Sequence, residues 1–391
     1  MASSASSWGR YVFEGGAAVL GLEEYDVIHA QDPIASYALR RIMRRPVPLV
    51  SSVHGALTKE TFYEYKGLEP GLTREEYEQR PIWSYFRRLE TLGARAADQI
   101  LVSSEWIGQL TQSLGVSPDR IHTLPYGLDL HQYAARAAET PPLQFAEGIP
   151  VIMFAGRLEY IKGVHVLIEA LGILEQRCQQ WICAVAGIGS LLEELMEQTR
   201  RLGIAGKVHF TGKLNNIPAA LRAADIYVQP SLQDTQPFSV TEAQLAGIAP
   251  IVAGTAGMPE MVRQGGRRAG LFLPEMPRSL PCRSSSCWGD VELRRRTGLQ
   301  AREWAEQTRS LDVMAAGTLN VYQRAVRLRP GIPDHLRFEE EPGSGTLPAA
   351  FHPADVLNEC DPGNPLAVTL RVKLPQYYTI PDARTALPPL G

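Results

Sequence analysis

The amino-acid sequence predicts an α/β protein of two doubly wound, parallel-sheet domains with a ligand crevice between them. Three observations carry this expectation. Short apolar runs alternate with segments of helical period through most of the chain, the pattern of strand–helix–strand units. A stretch rich in Ala, Pro and polar residues, His131–Gly148, separates two such series and reads as an interdomain linker. Within the second series, Ile226–Val228 and Ile251–Val252 read as buried parallel strands joined by a polar loop and a short helix. That arrangement builds a crevice at the carboxyl end of a sheet. The 391 residues divide accordingly into a first domain, 1–134, a second, 135–330, and a tail of unknown role, 331–391.

In the first domain, Tyr25–Gln31 reads as a strand, followed by Asp32-Pro33 and a helix from about Ile34 to Met43. Val47–His54 is a second strand, ending at His54-Gly55. Thr58–Arg80 is polar and aromatic and reads as a loop region. Trp83–Ala97 carries Trp83, Phe86, Leu89, Leu92 and Ala96 at helical spacing. Gln99–Ser103 is a strand, Glu105–Leu114 a helix and Arg120–Leu124 a strand. Ahead of Tyr25, Gly15-Gly16 reads as a turn or weak helix.

The second domain opens with a strand, Val151–Ala155, then Gly156-Arg157-Leu158-Glu159-Tyr160-Ile161-Lys162-Gly163 and a helix, Val164–Glu175. Trp181–Ala186 is a strand ending in Gly187-Ile188-Gly189, where glycines permit a tight turn beside a ligand. A lone Gly-x-Gly is not a dinucleotide fingerprint, which needs a third glycine and a downstream acid. Leu191–Leu202 is a helix, Val208–Phe210 a strand, and Ile217–Ala224 a helix. After the strand at Ile226, the loop holds Asp234, and a helix from about Ser239 to Ala246, stopped by Gly247, holds Glu242. Glu260 is read as a helix-start residue. Val291–Thr308 and Leu311–Arg327 return to helical spacing.

Composition excludes several classes. A net charge of −3 and 21% charged residues give no basic excess, so no nucleic-acid partner is expected. No apolar run approaches the ~20 residues of a membrane helix, and MASSASSWGRYVF lacks the basic-then-apolar order of a signal peptide. A cytoplasmic setting is the default. The five cysteines (178, 183, 282, 287, 360) form no metal-ligand pattern, and neither metal nor cofactor is expected.

The chemistry-bearing residues fall at the strand ends. Arg157 and Lys162 bracket a strand-to-helix loop, where two cations would balance a diphosphate. The amides of Phe238, Ser239 and Val240 would be free at a helix start, which suits an anion. Two carboxylates, Asp234 and Glu242, lie with seven residues between them. Alone, such a pair is equally a pair of solvated surface acids. Its setting is a Pro-Phe turn, small helix residues Ala243, Ala246 and Gly247, and the loop Thr255-Ala256-Gly257-Met258-Pro259-Glu260.

In that setting the chain resembles the retaining glycosyltransferases of the two-domain GT-B fold, in the family-four and glycogen-synthase-like group. The resemblance runs from Tyr25 to Arg327 and is strongest in the second domain. It implies two Rossmann-like domains and metal-independent transfer of a hexosyl group from a nucleotide-diphosphate sugar to an acceptor hydroxyl on a sugar, glycan or lipid. By resemblance, Gly156-Arg157 and Lys162-Gly163 grip the donor diphosphate, Glu242 holds the ribose, and Asp234 and the backbone after it hold the sugar. His54 would lie beside the transferred sugar.

The chain also departs from the family. Asp234 replaces a Glu and is one methylene short; Tyr126 stands where Asn is common. No strand–glycine–helix unit precedes Asp26, so the first sheet is expected to be incomplete by two or three strands, with an edge to be covered. Glu275–Gly289 has no helical period where the family has an amphipathic helix; re-read one nucleotide earlier with permitted codons, 276–289 becomes DAEELALQIVKLLG, as compensating frameshifts would produce. These departures keep a second reading open, a glycosyltransferase-like protein that binds donor or a partner without turnover. A nucleotide-sugar epimerase of similar fold is a third, lacking identifiable acids and histidines in the first domain.

Overall fold

The computed structural model describes residues 2–263, 271–272 and 291–328, with the short pieces 350–351, 369 and 380–381. Residues 276–289, the segment of the expected frameshift, and nearly all of 331–391 lie outside the described residues.

Two parallel sheets organise the chain. The first comprises β1 (Ile28–Ala30), β2 (Leu49–Val53), β3 (Gln99–Val102) and β4 (Ile121–Thr123), paired in that order. Each crossover is helical: α1 (Ala2–Leu20) precedes β1, and α2 (Pro33–Ile42) follows it. Asp32 caps α2 by accepting from the Ala35 amide at 2.8 Å, and Pro33 sits at the first helical position, where its missing N–H costs nothing. α5 (Pro81–Ala96) returns to β3, and α6 (Glu105–Ser113), capped by Ser104, leads to β4.

One expectation is corrected here, and Gly15-Gly16 take the helical one of their two expected forms. Residues 58–80 are not a loop: α3 (Leu57–Leu68) and α4 (Arg74–Glu78) occupy them. A Thr73–Glu76 capping box starts α4, and Phe62, Tyr65 and Tyr77 bind the two helices together, with the Tyr77 hydroxyl donating to Thr61 Oγ1 at 2.6 Å. Aromatic residues packed between short helices leave no clean 3.6 period, which is why the reading missed them. Gly15-Gly16 lie inside continuous α1, whose Ala17 and Ala18 pack with Leu39, Ile42 and Met43.

The segment 131–148 begins in a helix, α7 (Leu130–Ala137), capped by Asp129. The second sheet then follows: β5 (Val151–Ala155), α8 (Val164–Glu175), β6 (Ile182–Ala186), α9 (Leu192–Arg201), β7 (Val208–Gly212), α10 (Ile217–Leu221), β8 (Ile226–Gln229), α11 (Phe238–Leu245), β9 (Ala249–Ala253), α12 (Met258–Arg263) and β10 (Leu271–Phe272). Its spatial order is β10-β9-β8-β5-β6-β7. The first strand in sequence, β5, thus lies between the second and the fourth, and the winding reverses between β5 and β8. In open α/β sheets ligands bind at such a reversal, outside the carboxyl ends of the strands. Near-continuous apolar strands fit burial on both faces; Phe154, Cys183, Tyr227 and Val252 are fully enclosed.

After α13 (Val291–Thr308), α14 (Leu311–Leu328) crosses back onto the first sheet. Its Val321 and Ala325 pack on Val50 and Leu101, and the Tyr322 hydroxyl meets His29 Nδ1 at 2.7 Å. A second tie between the sheets comes from Glu260, whose carboxylate accepts the Glu105 and Trp106 amides at 2.8 and 2.9 Å. An acid of α12 therefore caps the start of α6 in the other half of the molecule.

Within the first sheet, buried Arg40 donates through Nη2 to Asp98 Oδ2 at 2.8 Å and through Nε to the Ala96 carbonyl at 2.8 Å. The same Asp98 oxygen accepts the Leu49 amide at 2.8 Å. Breaking such a pair from one side leaves an uncompensated buried charge. Arg40→Met is expected to destabilise the first domain by about 3–5 kcal/mol, read as a lowered urea midpoint.

Candidate functional site

The loops after β5 and β8 meet at the reversal. Gly163, the N-cap of α8, has φ 67°, and a Cβ there would lie 2.2 Å from the Pro230 carbonyl oxygen. Only glycine permits that approach. The Leu232 amide donates to the Ile161 carbonyl at 2.9 Å and completes the seam. Lys162 is thereby carried onto Asp234, its Nζ 2.5 Å from Oδ2, with side chains 20% and 14% exposed. Ser231 Oγ also reaches that carboxylate oxygen, at 3.4 Å.

Arg157 stands at the start of the same loop, exposed and without an ion pair among the described residues. The glycines around it have a packing origin. A Cβ on Gly187 would lie 1.8 Å from the Gly156 carbonyl oxygen, and one on Gly189 2.4 Å from that of Leu158. They let the loop after β6 press on the Arg157 loop, a demand independent of any ligand turn.

At the start of α11, Pro237 offers no capping side chain. The Phe238 and Ser239 amides meet no acceptor among the described residues, whereas the Val240 amide donates to the Pro237 carbonyl at 3.1 Å. This corrects the expectation of three free amides: the first turn closes tightly on Val240, leaving two. Glu242 lies one turn further on, partly buried, with no hydrogen-bond partner for its carboxylate among the described residues. Burial pushes its pKa from 4.5 to about 7, with Arg136 opposing. The backbone carbonyl of Glu242 accepts from the Tyr133 hydroxyl at 2.7 Å, tying α11 to α7. Buried Tyr227 on β8 feels the charge of both Asp234 and Glu242, so the two acids flank one strand end. No described contact links Arg157 to Glu242.

The first domain adds a facing wall. His54, at the end of β2, has its backbone carbonyl accepting from Thr235 Oγ1 at 2.8 Å, one residue from Asp234. Its ring is occupied on both nitrogens: Nδ1 meets the Tyr126 hydroxyl at 2.6 Å and Nε2 meets Gln31 Oε1 at 3.2 Å. Because Gln31 Oε1 can only accept, Nε2 carries the proton and Tyr126 donates to Nδ1. Desolvation lowers the His54 pKa although the ring stays solvent-accessible, with Asp32 opposing. Tyr126 is itself held across the junction. Gln236 accepts its amide at 2.9 Å and donates to its carbonyl at 3.1 Å, and its ring stacks on Phe238 at 5.4 Å.

Sequence reading missed Glu60, in the first turn of α3. Its carboxylate lies against the Cα of Gly55, next to His54, and feels the charges of Asp234 and Lys162 across the junction. Burial, then Asp234 and Glu64, push its pKa from 4.5 to about 7, with Lys162 opposing. No sequence signal could have found it once 58–80 was read as loop. Among the described residues no three His, Cys, Asp or Glu side chains converge as a metal-ligand set, and no helix is long and apolar enough to cross a membrane.

Comparison with known proteins agrees with this arrangement. Residues 8–132 match the glycosyltransferase family 4 model, and residues 136–304 match the model for glycosyl transferases group 1. The chain is 25% identical to an uncharacterized glycosyltransferase of Methanocaldococcus jannaschii, over 79% of this chain and 78% of that one. It is 30% identical to the D-inositol 3-phosphate glycosyltransferase of Streptomyces scabiei over 64% of this chain and 57% of the relative, and 26% identical to glycogen synthase of Mycobacterium tuberculosis over 77% and 69%. Among solved structures, HepE of Anabaena in complex with UDP and glucose superposes with a TM-score of 0.62 at 23% identity, over 78% of this chain and 80% of that one. With two consecutive family models, these relatives and two parallel-sheet Rossmann-like domains, the chain belongs to the GT-B glycosyltransferases of the family-four, glycogen-synthase-like group.

Proposed function

We propose that this glycosyltransferase moves a hexosyl group from a nucleoside-diphosphate sugar to an acceptor hydroxyl, with retention of anomeric configuration and without a divalent metal. The observation that carries the reading is the Lys162–Asp234 pair at the β5–β8 reversal, flanked by unpaired Arg157 and the free amides of Phe238 and Ser239. When a sugar–phosphate bond breaks, the departing diphosphate gains negative charge. Two cations and two oriented amides stabilise that charge without reorganising, the role a metal fills elsewhere. The solved complex of the Anabaena relative with UDP and glucose supports a nucleotide-sugar donor.

Each residue then has a task. Arg157 and Lys162 hold the diphosphate. As Lys162 turns to phosphate, Asp234 is released to accept a hydroxyl of the sugar. The partnerless Glu242 accepts the ribose hydroxyls, which supply the hydrogen bonds its carboxylate lacks. Gly156, Gly187 and Gly189 keep the loops close enough for backbone contact. His54 reaches the sugar through its Nε2–H if Gln31 gives way. That both of its ring nitrogens are already engaged favours a second reading, donor binding without turnover. The two readings separate when UDP-glucose is incubated with sugar acceptors: a product whose anomeric proton reports retention, in the presence of EDTA, supports the first.

Isothermal calorimetry with UDP provides the binding test. Lys162→Ala and Arg157→Ala are each expected to weaken binding by roughly 10- to 100-fold, the value of a charge-assisted hydrogen bond; unchanged affinity in both contradicts the site.

The Glu242 carboxyl gives a pH signature. Its folded pKa is raised, so the stability tied to its protonated form is present below the unfolded value and lost as pH rises through about 7. Glu242→Gln should therefore raise the melting temperature of the free protein at pH 8, by an amount worth on the order of 1 kcal/mol after screening, and leave it nearly unchanged at pH 4.5. At pH 8 the same variant should bind UDP more weakly.

A further inference from the structure

We propose that Glu60 is the specificity-determining residue for the acceptor, taking a hydrogen bond from a hydroxyl of an uncharged sugar or polyol and disfavouring phosphorylated acceptors. This rests on the donor reading above, because that reading fills the second-domain wall and leaves the facing position for the other substrate. Glu60 belongs to the first domain, on α3 immediately after His54-Gly55. Its carboxylate lies over the Gly55 Cα, at the junction where Thr235 bonds the His54 carbonyl and Tyr126 bonds the His54 ring. It is partly buried, yet no described residue donates it a hydrogen bond or forms an ion pair with it.

A carboxyl group so enclosed loses water without gaining a protein partner, a cost that a substrate hydroxyl can offset. The surrounding charges select the ligand. Asp234, Glu64 and Glu90 all raise the proton affinity of Glu60, and Lys162 opposes them. Lys162 is already neutralised by Asp234 and is assigned to the donor diphosphate. A phosphate monoester arriving beside Glu60 would meet the like charge of its carboxylate and of Asp234 across the junction, whereas a neutral hydroxyl donates to the carboxylate directly. By position, the group taken by Glu60 sits between the first-domain wall and the Asp234 loop.

The test compares wild type, Glu60→Gln and Glu60→Asp in two independent arms. Calorimetry with UDP, ADP and GDP reads the donor site: both variants should match wild type within twofold for the nucleotide it binds, and failure of wild type to bind any of the three would sink the donor reading on its own. Saturation-transfer NMR, with and without UDP, reads the acceptor site using D-glucose, myo-inositol and D-glucose 6-phosphate as probes. Wild type should take up a neutral probe at least fivefold better than the phosphorylated one. Glu60→Gln should abolish that preference, and Glu60→Asp should retain part of it, a rescue that a merely structural role would not produce. If Glu60→Gln does not fold, Glu60→Asp carries the comparison. Preference for glucose 6-phosphate, uptake of no neutral probe by wild type, or an unchanged preference in the variants overturns the proposal.

Discussion

The structure turns on one close backbone approach. Gly163 in its left-handed conformation lets the carbonyl of Pro230 reach a distance no side chain would tolerate. That contact, with the Leu232–Ile161 hydrogen bond, joins the loop after β5 to the loop after β8 across the winding reversal. A cation from one loop and an acid from the other are then forced together as Lys162 and Asp234. The pair is partly exposed, and Lys162 shares its loop with Arg157, which has no ion pair among the described residues.

The first domain depends on that seam for its own placement. Thr235 reaches the His54 carbonyl, Gln236 pairs with the Tyr126 backbone, and Phe238 stacks on the Tyr126 ring, all within five residues of the β8 loop. Glu260 and α14 add ties further away. Tyr126 occupies a position where the resemblance leads one to expect Asn. Its phenol does what a short amide could not: it spans from the second-domain helix start to the imidazole of His54 and donates to Nδ1. The departure from the family pattern is thus built into the junction and is not a loose substitution.

Much of this was legible in the residues. Alternating apolar strands and helical periods gave the order of elements in the second domain, because parallel strands buried on both faces read as uninterrupted apolar runs such as Val151–Ala155. Arg157, Lys162, Asp234 and Glu242 stand out as candidates through the family resemblance more than through their spacing, and the structure brings Lys162 and Asp234 together. What escaped was long-range in origin. Glu60 sits in α3, whose aromatic packing against α4 obscures its period, and its importance comes from groups more than a hundred positions away. The tight first turn that engages the Val240 amide, and the second hydrogen bond of His54, donated by Nε2 to Gln31 Oε1, likewise depend on three-dimensional neighbours. The glycines at 187 and 189 were noticed for a ligand turn, and packing against the Arg157 loop supplies a reason for them that sequence alone does not contain.

The most direct measurement of the central claim is the affinity of Gly163→Ala for UDP, alongside its circular dichroism. If the seam positions the donor site, adding one methyl group pushes the loops apart, and binding should weaken at least tenfold while the helix and strand content persists. A folded Gly163→Ala protein that binds UDP as tightly as wild type would contradict the account.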